Sequence, residues 1–244
     1  MKTWLKSHLG PAWTAGSQAY WWARNYRYRW SPSGWLDNAH AWAFDWQYGV
    51  NTRTIVPTHA LALAEPQARQ ASRYQAASLR LVKRLLERAP GSPSEYEFVD
   101  IGSGMGRVLV VAAEYGFREV IGVEISKPLA DGARRLLKRY TEVSGHSVPY
   151  QVVNSDVAQY EFPPTDTFIF MYNPFGASVM QVVIDALAAS LRRHHHRVVI
   201  AYANAVHHQL FDGLPYLRLL DEGRFNGDPW RIYGNRAVDT TLAR

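Results

Sequence analysis

The feature that most constrains this chain is an alternation that starts at Tyr96, where short apolar runs take turns with longer amphipathic stretches. YEFVDI, EVIGVEIS, YQVVNSD, TFIFMYNPFG and RVVIAYANAV read as strands, with RVLVVAAEYG, PLADGARRLLKRYTEV and SVMQVVIDALAASLRR as helices among them. Parallel strands need a long crossover to bring the chain back to its starting edge, and a helix supplies one. The alternation therefore predicts an open α/β sheet, mostly parallel, with right-handed connections. Two later runs, PYLRLLDEG and PWRIYGN, flank a turn containing asparagine and glycine and predict a closing antiparallel hairpin, for seven strands in all.

Upstream the pattern differs. Ala71, Tyr74, Leu81, Val82, Leu85 and Leu86 recur at three- and four-residue steps, and Arg69, Arg73, Arg80, Lys83, Arg84 and Arg88 fall mostly on the other side. This predicts one amphipathic helix over residues 66–88 with a solvated basic face. Before it, eight of the nine tryptophans precede residue 47, and residues 1–93 hold 12 basic and 4 acidic side chains, a balance of +8 that the rest of the chain trims to +6. A division follows: 1–65 as an aromatic, basic extension serving as lid or recognition element, and 66–244 as the reaction domain. In the extension, WWARNYRYRW interleaves Arg24, Arg27 and Arg29 with Tyr26, Tyr28 and Trp30. Such a mixture can stack on bases and neutralise phosphates, so nucleic acid is one partner to weigh, and an interfacial membrane role another. The expectation adopted is a lid whose rings pack on the domain while its arginines stay in water.

Several function classes drop out. Without cysteine there is no disulfide framework, thiolate nucleophile or cysteine-ligated metal. No run is long and apolar enough to span a membrane, and Lys6 and His8 interrupt the apolar run a signal peptide needs, so a cytoplasmic protein is expected. The histidine runs at 194–196 and 207–208 do not read as a metal site, because consecutive residues point in different directions. His207 and His208 do follow the fifth strand, and either could act as general base toward a hydroxyl.

The residues that carry chemistry begin at FVDIGSGMGR, where an apolar strand stops at Asp100 and a loop of almost no side chains follows. In an open parallel sheet ligands lie beyond the C-terminal strand ends, which is where the loop Gly102, Ser103, Gly104, Met105, Gly106 falls. Gly106 is followed by Arg107, so the loop lacks the glycine-lysine-serine/threonine ending of a phosphate cradle, and its G-x-G-x-G spacing is not the dinucleotide G-x-G-x-x-G. Asp100 would repel a pyrophosphate and suit a cofactor with an amino group and a sulfonium. Glu124 ends the second strand 18 residues past Gly106, where a carboxylate can accept from two ribose hydroxyls, and Asp156 ends the third, placed to accept from an adenine amino group.

These residues resemble the class I S-adenosylmethionine-dependent methyltransferases over residues 97–206. RYQAASLRLVKRLL followed by FVDIGSGMGRVLVVAAEYGFREVIGVEIS is similar to the non-SET lysine methyltransferases of nucleosomal histone and their bacterial relatives. The resemblance implies a Rossmann-like sheet and S-adenosylmethionine as cofactor. It implies that Asp100, Gly102 and Gly104 border the methionine portion, Glu124 the ribose and Asp156 the adenine, with Ser103, Gly106, Ile125 and Val157 also among the cofactor-binding residues. Tyr74 and Ser78 would match a tyrosine and serine that those relatives bring near the cofactor. MYNPFG ends the fourth strand, where Asn173 and the Pro174 carbonyl could accept the two hydrogens of an amine while Phe175 forms a wall tolerant of positive charge. It resembles both the Asn-Pro-Pro-Tyr/Phe and the Asn-Asn-Phe signatures, lacking the second proline of one and the second asparagine of the other. The expected reaction is N-methylation of a protein amine or other amino group, with a hydroxyl of a small metabolite, or a nucleic-acid-binding protein with a vestigial cofactor site, as alternatives.

Overall fold

The computed structural model describes residues 28, 30–56, 61, 74–173 and 175–238. The chain divides into two units, Met1–His40 and Ala41–Arg244. Helix α1, Pro32–Tyr48, starts in the first unit, and its residues from Ala41 onward belong to the second. Within the first unit the Ser31 hydroxyl donates to the Tyr28 carbonyl at 2.7 Å and accepts from the Gly34 amide at 3.1 Å, capping the helix start. The Tyr28 hydroxyl donates to the Asp37 carboxylate.

The second unit is built on one seven-stranded sheet. Its strands are β1 Glu97–Ile101, β2 Glu119–Glu124, β3 Tyr150–Asn154, β4 Thr167–Tyr172, β5 Val198–Ala203, β6 Leu217–Phe225 and β7 Asp228–Asn235, in the order β3-β2-β1-β4-β5-β7-β6. The first five pair in parallel; β7 pairs antiparallel with both β5 and β6. Asn226 and Gly227, both at positive φ, form the two-residue turn that joins β6 to β7. Helices α2 Leu79–Arg88, α3 Arg107–Glu114, α4 Lys127–Ser144, α5 Ala177–Arg193 and the short α6 Gln209–Asp212 complete the unit.

Alternation along the strands sends successive side chains to opposite layers. Phe98, Phe168 and Phe170 share one layer with Val82 and Leu85 of α2, Leu109 of α3 and Leu136 of α4, while Val99, Ile169 and Ile200 meet Met180, Ile184 and Leu187 of α5 in the other. Strand order reverses between β1 and β4, so a crevice opens there at the C-terminal strand ends.

Two expectations need correction. Among the described residues the helix expected over residues 66–88 begins only at Leu79, because Ser78 caps it by accepting from the Leu81 amide, and the Tyr74 backbone pairs instead with Val56 in an antiparallel bridge. Its basic face does more than meet water: Arg80 and Arg84 lie over the Phe225 ring and Arg88 over Trp230, which brace the helix against the hairpin. The expected packing of tryptophan rings is also not met for Trp42 and Trp46, which belong to the second unit. Trp30, Trp35, Trp42 and Trp46 are all exposed; in α1 the buried side is Ala41, Phe44, Asp45 and Tyr48, which leaves Trp42 and Trp46 outward. Arg24, Arg27, Arg29 and the earlier tryptophans lie outside the described residues. No helix among the described residues is long and apolar enough to cross a membrane.

Candidate active site

The glycine loop lies at the β1 end of the crevice. The amides of Gly102 and Ser103 donate to the Val123 carbonyl of β2 at 2.9 and 3.1 Å, which turns the chain sharply out of the sheet. Gly104 takes φ +55, and a Cβ there would stand 2.2 Å from Cε2 of Tyr74. Gly106 takes φ +82 at the N-cap of α3, and a Cβ would stand 2.9 Å from that of Ala133 on α4. Both positions thus combine a left-handed backbone with a close neighbour, and only glycine meets both demands. The Ser103 hydroxyl is buried with no hydrogen-bond partner among the described residues.

Three acids were expected at strand ends. Asp100 is 2% exposed, and its carboxyl is raised well above the ordinary range, first by burial and then by the charge of Glu124. No hydrogen bond to that carboxyl is found among the described residues. Glu124 is buried too: one oxygen accepts from the Gly104 amide at 2.8 Å and the other from the Ser126 amide at 2.8 Å. Burial raises its pKa, and the hydrogen bonds from Ser126, Gly104 and Ile125 oppose that shift. In this structure Glu124 therefore clamps the loop to the start of α4. Asn154 braces the same corner by donating to the Glu124 and Ile125 carbonyls at 2.8 and 2.9 Å.

Asp156 lies just past its strand rather than at the end of it. Strand β3 stops at Asn154, and Asp156 caps the single 3-10 turn Val157–Gln159 by accepting from the Ala158 amide at 3.0 Å. Val157 itself is buried in the layer that holds α5. Tyr74 is brought onto the glycine loop, its hydroxyl donating to the Thr52 carbonyl at 3.2 Å and pushed up to about 12 mainly by burial. Ser78 is used as the helix cap already described.

The far side of the crevice is made by the ends of β4 and β5. Asn173 sits at φ 37 just past β4, its amide donating to the Ala203 carbonyl at 3.1 Å, and its side-chain oxygen is 3.4 Å from the Tyr202 hydroxyl. Asn204, at φ 48, follows β5 in the neighbouring register, with its side-chain oxygen buried and unpartnered among the described residues. Pro174 lies outside the described residues, and Phe175 packs partly buried against the α5 layer. His208 Nδ1 is 2.8 Å from an Asp212 oxygen, whose other oxygen accepts from Arg231 and from the Tyr233 hydroxyl at 2.7 Å each. Of the 194–196 run, His196 is buried and points Nδ1 at the His194 carbonyl 3.0 Å away. Among the described residues no group of three or more His, Cys, Asp or Glu could hold a metal.

Sequence reasoning missed four participants: Asp45, Thr52, Tyr202 and Asn204. Arg107 was noted only as the residue that rules out a phosphate loop; here it is a buried anchor.

A strand order that reverses between β1 and β4, an antiparallel β7 placed inside the edge, a glycine loop after β1 and an acid closing β2 define a class I S-adenosylmethionine-dependent methyltransferase. The residues present suit that cofactor: two buried carboxyls, both with raised pKa, favour a positively charged ligand. Residues 52–187 match the family model described as histone methylation protein DOT1, which is more than half of the chain, and the chain belongs to that family. S-adenosylmethionine is its cofactor.

No curated protein matches the chain. Among solved structures it is similar to magnesium protoporphyrin IX methyltransferase from Synechocystis PCC 6803, at 18% identity over 64% of this chain and 75% of that one, TM-score 0.46. It is similar to ribosomal protein L11 methylase from Lactobacillus delbrueckii subsp. bulgaricus at 14% identity, 64% and 77% coverage and TM-score 0.45. A third likeness is a TehB-like methyltransferase from Corynebacterium glutamicum, at 18% identity, 64% and 86% coverage and TM-score 0.42. All three are distant and carry nothing about the chemistry of this chain.

Proposed function

We propose that the chain methylates an amine nitrogen, with a protein lysine as the acceptor class. When bound, S-adenosylmethionine supplies a sulfonium methyl group open to displacement by a lone pair. Asp100 would hold the positively charged end of the cofactor, residues 102–106 and Tyr74 its methionine portion, Glu124 and Ile125 the ribose, and Asp156 and Val157 the adenine. Asn173 accepts one hydrogen of the neutral amine and so turns its lone pair toward the methyl carbon, while Phe175 tolerates the charge that develops on nitrogen. With the amine held by Asn173, the acceptor nitrogen would gain the methyl group that the cofactor supplies, and the proton it sheds would pass to water.

The observation that supports this reading most is the setting of Asn173. Its backbone is left-handed at a strand end, it lies across the crevice from the glycine loop, and its amide oxygen lies within reach of the Tyr202 hydroxyl. Membership in a histone methylation family favours a protein amine. The test is Asn173→Ala with core histones and tritiated-methyl cofactor: turnover should fall about a hundredfold or more while calorimetric cofactor affinity stays unchanged. Weaker cofactor binding with turnover per bound cofactor retained would refute the role.

A second reading has one specific observation behind it, the 2.8 Å pairing of His208 with Asp212. That pairing orients an imidazole as a general base toward a hydroxyl. Under it, His208→Ala abolishes methylation and Asn173→Ala does not.

A further inference from the structure

Arg107 opens α3 one residue after the glycine loop and is 5% exposed. A guanidinium that deep is tolerated only with a matching set of partners. Its Nε donates to the Thr52 hydroxyl oxygen at 2.8 Å, one Nη reaches the Ala77 carbonyl at 3.4 Å, and the other stands 3.7 Å from Asp45. Its plane lies over the Phe44 ring, 5.7 Å from the centroid. Asp45 is 4% exposed, and its Oδ1 accepts both the Thr52 hydroxyl at 2.6 Å and the Thr52 amide at 3.1 Å. Its other oxygen accepts from Arg53 at 2.9 Å.

From Thr52 the connection runs to the end of the loop and to its middle. Through Arg107 it fixes the residue that follows Gly106. Through its carbonyl, which accepts from the Tyr74 hydroxyl, it fixes the ring that covers Gly104. The Gly104 amide then meets Glu124 at 2.8 Å. An ion pair meant only to hold α1 against the sheet would not need the residue at the mouth of the loop, nor a second branch onto the middle of it.

We propose that Asp45 and Arg107 are positioning residues for cofactor binding, locking residues 45–56 onto the glycine loop so that its left-handed turn is held ready for S-adenosylmethionine. Neither side chain touches the cofactor; they act through Thr52, Tyr74 and Gly104. The inference rests on the glycine loop being the cofactor site. By reciprocity, bound cofactor must in turn tighten the segment.

The experiment is calorimetric titration of S-adenosylmethionine into the full chain and into Arg107→Lys and Asp45→Asn, each checked for native circular dichroism and a cooperative melt. Both variants should bind about tenfold more weakly or worse, and the double variant should lose less than the sum of the two, as coupled residues do. Affinities within about twofold of the parent, with only the melting temperature lowered, would reduce the network to a structural ion pair and overturn the proposal. Should either variant fail to fold, hydrogen exchange on the parent protein decides: saturating cofactor should slow the Thr52 and Gly104 amides together, and an unchanged Thr52 amide overturns it. Glu124→Ala separates the two levels. If it leaves affinity intact, the loop assignment itself fails; if it weakens binding while Arg107→Lys does not, only the positioning role fails.

Discussion

Gly104 and Asp100 show how single residues carry the site. At Gly104 a side chain would meet both a disfavoured φ and the Tyr74 ring, so Gly104→Ala should abolish measurable cofactor binding by calorimetry while the cooperative melt survives. Asp100 makes a pH prediction. Burial and the Glu124 charge raise its folded pKa above the unfolded one, so between those two values the folded state holds the extra proton. Without cofactor, the contribution of Asp100 to stability is therefore fully present below the ordinary aspartate range and is lost as pH rises through the folded pKa; Asp100→Asn should remove that component of the slope in melts taken across pH. A cationic ligand favours the ionised form, so binding within the window should release a proton, seen as an enthalpy that varies with the ionisation heat of the buffer. The glycines and the positions of Asp100 and Glu124 were legible because backbone demands and charge are written in residue type, whereas Asp156 falls past its strand in a turn. Asp45, Thr52 and Arg107 were not, because their meaning lies in a contact made across 55 residues of chain.

At the level of elements, alternation from β1 to β5 was readable because each strand is a short apolar run bounded by turn residues and each crossover keeps a helical period. Helix α2 was readable only in part. Its apolar steps continue upstream of Ser78 on paper, yet the cap and the Val56–Tyr74 bridge stop the helix, and neither is a property of periodicity. The part that does form is deeply anchored: Leu85 is fully buried in the layer that α2 shares with α3 and the sheet. Leu85→Ala should cost about 2–5 kcal/mol in urea unfolding, the range for deleting a buried leucine side chain. The same change should leave cofactor affinity nearly intact, since Leu85 packs in the core layer and the hydrogen bond toward the loop end is accepted by Ala77, ahead of α2. In α1 the buried side follows three- and four-residue steps through Ala41, Phe44 and Tyr48, while composition, dominated by tryptophan, pointed to burial of the wrong residues.

For the molecule as a whole, the residues assigned to cofactor and acceptor gather at the C-terminal ends of the parallel strands, so ligand and fold stability are linked. Cofactor at about 100 times its dissociation constant should add about 2.7 kcal/mol to unfolding, read as a rise in melting temperature that grows with concentration and vanishes in Gly104→Ala. The sheet order has a different consequence, for how the chain comes to be folded. Because β7 fills the slot between β5 and β6, strand β5 keeps a bare edge until residues 228–235 have been made, although the catalytic half of the sheet is by then complete. During synthesis that edge, which carries Val199, Ala201 and Tyr202, is a template for another chain, and a nascent protein halted before Asp228 should demand holding by chaperones until its final strand arrives.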